Sequence, residues 1–188
     1  MTVSPVTLLA LQGSPRLNGN TALLLDTFLE GAGEAFEGGR TERLDTAEMT
    51  IAPCRGCLSC KEKGARCVIR DDMDELYPLI REASFIILAS PIYWWHMTAQ
   101  MKACIDRIYA MDFSSFKGKQ IGFLSTFGGS EEESGYLIAR ESVASIARFL
   151  RMEFSFSFGV STGEQGLREN TAALGQAREL GRSLHIPL

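Results

Sequence analysis

The chain has 188 residues, 45% of them hydrophobic, and a formal net charge of −4. That length suits one domain, residues 1–188, with a sizeable core; the acidic balance offers no basic field for nucleic acid, and no apolar run is long enough to span a membrane. The N-terminus lacks a basic region followed by an apolar one, so a soluble, cytoplasmic protein is expected, whose five cysteines suit metal, redox or buried-thiol roles better than a disulfide framework.

The first predicted element is a strand, Val6–Gln12, nearly continuous in apolar residues as a central parallel strand should be. Gly13-Ser14-Pro15-Arg16-Leu17-Asn18-Gly19-Asn20-Thr21 follows it. A helix, Ala22–Phe36, leads out, with Leu24, Leu25, Phe28 and Leu29 at helical spacing. Such a junction gathers free backbone N–H groups and the positive end of a helix dipole at one point, where anions bind. Ser14, Asn18, Asn20 and Thr21 add side-chain donors, and Arg16 adds a guanidinium suited to forking two phosphate oxygens. The same residues also suit a plain strand-to-helix turn with Asn20 or Thr21 as its N-cap.

Gly38-Gly39 ends the helix, and Thr41–Leu44 is a weak second strand. Residues 46–72 form an irregular, cysteine-rich loop, after which Asp71 or Asp72 can cap a helix over Met73–Glu82. Ser84–Ala89 is the most apolar strand. Ser90-Pro91-Ile92-Tyr93-Trp94-Trp95-His96 breaks regular structure at its carboxyl end. A helix over Ala99–Met111 turns Met101, Ile105 and Ile108 inward and holds Cys104 as an inert core thiol. Its Asp106 and Arg107, with Lys102, read as a surface or interface ion pair. Strand Gln120–Thr126 ends in Phe127-Gly128-Gly129. Helix Gly135–Leu150 follows, with Glu131–Glu133 near its positive dipole end. In Glu153–Val160, Phe154, Phe156 and Phe158 alternate with Ser155 and Ser157, as in an edge-proximal strand with one covered face. Leu167–His185 is the last helix.

This alternation predicts an α/β fold, a three-layer sandwich with a five-stranded parallel sheet in the order 2-1-3-4-5. Ligands bind such sheets at the carboxyl ends of the strands. Three loops meet there. The first, Gly13–Thr21, brings phosphate donors. The second, Pro91–His96, brings the aromatic faces of Tyr93, Trp94 and Trp95, which equally suit core or interface packing. The third, Thr126–Gly129, brings two glycines that let backbone N–H groups approach a planar ligand. A phosphate hook, aromatic walls and backbone donors together fit flavin mononucleotide (FMN). Neither a P-loop nor a dinucleotide-binding glycine fingerprint is present.

With these segments in view, the chain resembles the flavodoxin-like NADPH-dependent FMN reductase family, and within it the iron-sulfur flavoprotein branch. The phosphate loop Gly13–Thr21 carries the match. So do Pro53–Cys60 with Cys67–Met73, Ser90–Trp94 with Ala99–Lys102 and Ile105–Arg107, and Thr126 with Gly128-Gly129. The resemblance implies that Ser14, Arg16, Asn18, Asn20 and Thr21 contact the FMN phosphate. It implies that Pro91, Ile92, Tyr93 and Trp94 line the ring system, and that Thr126, Gly128 and Gly129 reach its other side. It further implies NAD(P)H as co-substrate and a homodimer or homotetramer. Where the family often has glycine and asparagine, this chain has Trp95 and His96, whose bulk narrows the space over the ring.

Cys54, Cys57, Cys60 and Cys67 are spaced Cys-x2-Cys-x2-Cys-x6-Cys, a compact run that suits convergence on one cluster. Resemblance to the iron-sulfur flavoproteins points to a [4Fe-4S] cluster. Zinc, metal-free thiols and a disulfide formed on oxidation stay open. Arg55, Lys61, Lys63, Arg66 and Arg70 surround the run, with Glu62 the sole acid before Asp71. His96 sits at the rim of the expected flavin site as a proton donor or a plain polar loop residue. No catalytic carboxylate pair is apparent. The expected activity is NAD(P)H-dependent flavin reduction with electrons passed to a quinone, nitro compound, metal ion or iron-sulfur centre. The rival readings are a non-enzymatic electron carrier for redox protein partners and a cysteine-based redox sensor.

Overall fold

Strand β1 (Val6–Gln12) shows how the sequence builds the layers. Its side chains alternate, so Leu9 and Leu11 enter one core cluster and Leu8 and Ala10 the other, all buried. In a computed structural model, which describes residues 6–35, 39–62 and 64–185, β1 pairs on both sides. Its neighbours are β2 (Arg40–Asp45) and β3 (Phe85–Tyr93). Beyond β3 come β5 (Gln120–Phe127) and β6 (Glu153–Ser161), and the parallel order is β2-β1-β3-β5-β6. The remaining strand, β4 (His96–Met97), folds back antiparallel on the end of β3. With that short hairpin set aside, the five parallel strands run in the expected order 2-1-3-4-5, in a flavodoxin-like arrangement.

Helices cover both faces. Helix α1 (Asn20–Ala35) and α6 (Thr171–Arg182) bury Leu24, Leu25, Phe28 and Ala177 on one face. Helices α3 (Met73–Glu82), α4 (Ala99–Ile108) and α5 (Tyr136–Leu150) bury Leu76, Met101, Cys104 and Val143 on the other. A single turn, α2 (Ser59–Glu62), interrupts the cysteine loop. Burial pushes the Cys104 thiol up to about 12, so it is the inert core thiol expected. Phe36, Gly38 and Lys63 of the sequence reading lie outside the described residues.

Helices α1 and α6 touch backbone to backbone. A Cβ on Gly31 would meet the Arg178 carbonyl oxygen, and one on Gly181 the Phe28 carbonyl oxygen. Neither obstacle is a flexible side chain. Gly31→Ala is therefore expected to lose about 1–3 kcal/mol by overpacking, against a helix-propensity gain of about 1 kcal/mol. Urea unfolding measures it, and a raised midpoint would mean that the two helices part freely.

Strand β6 and the last helix are among the elements that differ from the sequence reading. The β5–β6 register jumps from Ile121↔Phe154 to Gly122↔Phe156, so Ser155 is a bulge residue. Phe154 therefore packs into one core layer while Phe156 and Phe158 pack into the other, instead of sharing one covered face. Phe156 occupies the space that a side chain at Gly122 would fill. The last helix is also shorter than Leu167–His185. Leu167–Glu169 is a 3-10 turn, and Asn170 restarts the chain by accepting the Ala173 N–H at 3.0 Å.

Candidate functional site

The first loop leaves β1 under tight control. The Gly13 N–H donates to the Ala89 carbonyl at 2.7 Å, and the Thr98 hydroxyl donates to the Gly13 carbonyl at 2.6 Å. The Ser14 N–H donates to the Gln12 side-chain oxygen, and the Arg16 N–H donates to the Ser14 hydroxyl at 3.1 Å. The Gly19 N–H closes on the Arg16 carbonyl at 3.0 Å, and α1 begins at Asn20. This winding buries the Ser14 and Thr21 side chains at the mouth of the helix and leaves Arg16 and Asn18 exposed.

The other two loops close the same cleft. The Thr21 hydroxyl hydrogen-bonds the Thr126 hydroxyl at 2.7 Å, joining the start of α1 to the end of β5. Strand β3 runs on through Pro91 to Tyr93, further than the sequence reading ended it. Its pairing with β1 stops at Ala89 while pairing with β5 continues to Pro91↔Thr126. A proline is tolerated there because one flank of the strand is already free. Ser14, Arg16, Asn20, Thr21, Pro91, Ile92, Tyr93, Thr126 and Gly128 line the cleft. It holds about 250 Å³ and opens to solvent at its mouth, a little under the range of about 300–1,000 Å³ usual for ligand sites. Asn18, Trp94 and Gly129 stand outside this lining. Gly19 and Phe127, inside two of the expected loops, also belong to it, as does Thr162, which lies outside them. Thr162 follows β6 at the carboxyl edge and bonds the Phe127 carbonyl through its N–H at 2.7 Å, so the rule that found the other loops also covers it.

Trp94 and Trp95 form the two-residue turn between β3 and β4, with φ of +49° and +65°. Such turns favour Asn and Gly, and a bulky residue in the left-handed region costs about 1–2 kcal/mol. Trp94 is 90% exposed at the tip and packs edge-on against Trp95. The backbone of Trp95 lies against Gly135, where a Cβ would fall on the Trp95 Cα and carbonyl. His96 is half-buried in β4, and burial together with the nearby Lys102 ammonium lowers its pKa. It does not line the cleft.

The cleft residues fit a phosphorylated flavin. Buried hydroxyls at Ser14, Thr21 and Thr126 and the exposed Arg16 share its lining, and open space borders Gly128.

The cysteine loop is anchored at its neck. The Thr50 N–H donates to the Asp72 carboxylate at 2.6 Å, and the Ala52 N–H to that of Asp71 at 2.9 Å. Asp71 also accepts the Met73 N–H at 3.2 Å, so Asp71 rather than Asp72 caps α3. Lys61 places its ammonium over the Tyr109 and Phe113 rings, 4.2 and 4.0 Å from their centroids. Cys54, Cys57, Cys60 and Cys67 line one cavity with Tyr109 and Arg107. As a donor set, four cysteines around one cavity suit a metal cluster. Among the described residues, however, no three His, Cys, Asp or Glu side chains come close enough together to hold a metal ion. The Ser59 N–H and hydroxyl beside Cys57 lower its thiol pKa.

Arg107 corrects the surface-pair reading. It is 1% exposed and forks Asp71 at 2.6 and 3.0 Å, while Lys102 pairs with Asp106 on the exposed side of α4. Burial opposes the charge of both partners, but their mutual hydrogen bonds prevail, raising the pKa of Arg107 and lowering that of Asp71.

Comparison with known proteins agrees with this geometry. The model of the NADPH-dependent FMN reductase family matches residues 6–164. An iron-sulfur flavoprotein of Archaeoglobus fulgidus is 36% identical over 176 residues, covering 92% of this chain and 76% of that protein. One from Methanocaldococcus jannaschii is 43% identical over 99 residues, covering 53% of this chain and only 50% of that protein. The solved structure of an NAD(P)H:quinone oxidoreductase from Methanothermobacter marburgensis superposes with a TM-score of 0.71 at 20% identity, covering 97% of this chain and 100% of that one, which shows a shared fold. The chain therefore belongs to the NADPH-dependent FMN reductase family, in its iron-sulfur flavoprotein branch.

Proposed function

We propose that the protein is an NAD(P)H-dependent FMN oxidoreductase whose phosphate loop is Gly13–Thr21. The observation that carries this reading is the meeting of all three sheet-edge loops in one cleft. Bound FMN supplies the redox chemistry, accepting electrons from a reduced nicotinamide and passing them to a quinone, nitro compound, metal ion or iron-sulfur centre. The chain supplies binding and orientation. Ser14, Thr21 and Arg16 donate to the phosphate, with Asn18 and Asn20 beside them. Pro91, Ile92 and Tyr93 form a rigid wall for the ring, with Trp94 at its rim. The Thr126 hydroxyl, bonded to that of Thr21, joins the third loop to the phosphate end, and the backbone of Gly128 and Gly129 faces the opposite edge of the ring. The four-thiol cavity supports the further reading of a [4Fe-4S] cluster on Cys54, Cys57, Cys60 and Cys67, and with it a redox protein partner for the electrons. Pairing of subunits as a homodimer or homotetramer belongs to the same proposal.

Apoprotein titrated with FMN is expected to quench flavin fluorescence to a stoichiometric end point, and the complex to bleach on adding NAD(P)H. Failure to retain FMN would sink the proposal. Arg16→Ala removes one charged donor and is expected to weaken FMN about 10-fold, with riboflavin, which lacks the phosphate, affected far less. Equal losses for both ligands would move Arg16 away from the phosphate.

A further inference from the structure

We infer that Arg107 is the positioning residue of the cysteine cavity, one guanidinium holding both limbs of the loop that carries its four cysteines. This rests on the reading that those thiols act together as a metal-thiolate site.

The contacts are specific. Beyond Asp71, Arg107 donates to the Ala52 carbonyl at 2.8 Å and to the Ile69 carbonyl at 3.4 Å. Ala52 lies two residues before Cys54, and Ile69 two residues after Cys67. One planar group on α4 thus grips the entry and the exit of the loop together. Asp71 completes the grip by accepting the Ala52 N–H, so Ala52 is tied at both of its backbone polar groups. Helix packing alone does not call for such a residue. A buried ion pair can commonly be replaced by apolar side chains without loss of stability, and the rest of the buried face of α4 is Met101 and Cys104. What an apolar side chain lacks is a flat fork that reaches acceptors on two separate limbs at once.

A second observation points the same way. The Nε–H of Arg107 is buried and has no partner, on a residue that forms part of the cavity wall. Cys67 lines the same cavity as Arg107. The Tyr77 hydroxyl donates to the Arg107 carbonyl at 3.2 Å, fixing the backbone of α4 from the other side. A buried positive group with a spare donor suits a cavity that collects negative thiolate sulfur, and groups around the ligands of a metal site orient them in this way.

The test titrates Co2+ into the reduced full-length protein without oxygen and reads the thiolate-to-cobalt charge-transfer band. Arg107→Lys keeps the charge and loses the fork. It is expected to lower Co2+ affinity about 10–100-fold and to alter the visible band pattern, while FMN binding is unchanged. Wild-type affinity and spectrum in that variant would overturn the inference. A wild-type protein that shows no charge-transfer band would instead remove the metal-thiolate reading. The clamp itself is also read in the wild type by hydrogen exchange. Ala52 is an exposed residue whose amide donates to Asp71, the carboxylate that Arg107 holds in place, so it is expected to exchange slowly if the grip exists. Fast exchange at Ala52 would overturn the inference even where the Lys variant fails to fold.

Discussion

Asp71→Ala is expected to lower the unfolding free energy by about 3–5 kcal/mol, the usual effect of stranding one member of a buried ion pair. Asp71 and Arg107 are 6% and 1% exposed at the side chain, so water does little to rescue the guanidinium left behind. The carboxylate also holds the Ala52 and Met73 amides, and these lose their acceptor together. Replacing both partners by apolar residues is expected to cost less than removing Asp71 alone, because no bare charge remains buried. Acid gives a second measure. The folded pKa of Asp71 lies below its ordinary 3.8. The stabilisation is therefore complete above the unfolded value and is lost as pH falls through the folded one. Urea midpoints recorded downward from neutral pH should decline steeply below about pH 4 in the wild type and less so in Asp71→Asn. Identical acid slopes would show that the pair does not govern acid stability.

The second large effect is expected at Gly135, just before α5. Its φ is +87°, and its α-carbon lies against the backbone of Trp95. Gly135→Ala meets two costs at once, about 1–2 kcal/mol for a left-handed non-glycine residue and about 1–3 kcal/mol for overpacking. Gly118 separates the two. It has a similar φ of +80°, and a methyl group there would have nothing within 4 Å, so Gly118→Ala carries the conformational cost alone. Urea unfolding of both variants should place Gly135→Ala well below Gly118→Ala. Gly135→Ala should also weaken FMN, because the displaced hairpin carries Tyr93 in the cleft wall. Equal stability losses and an intact FMN affinity would show that the hairpin does not lean on this glycine.

Much of the cleft was legible in the sequence because sheet topology follows from strand–helix alternation, and topology alone sends the three loops to one edge. What escaped was decided by contacts distant in sequence or by single-residue irregularities. Lys102 and Asp106 sit four apart on a helix and pair as that spacing suggests. Arg107, one step further round, points into the core and finds Asp71, 36 residues away, which no local pattern announces. The bulge at Ser155 is equally silent, since the alternation of phenylalanine and serine is perfect on either side of it. The extension of β3 through Pro91 was hidden by the usual reading of proline as a strand breaker. It is permitted only because β1 ends first.

The anchored neck of the cysteine loop has an entropic consequence. Bringing together the ends of a flexible loop of about 20 residues costs about 2.7 kcal/mol. Here the ends at residues 50–52 and 69–72 are already joined by backbone-to-carboxylate bonds and by a guanidinium rooted in the core. The chain settles that cost when it folds. Whatever draws the thiols together then meets a ring of fixed circumference, and its affinity reflects local adjustment within the ring rather than capture of a free strand.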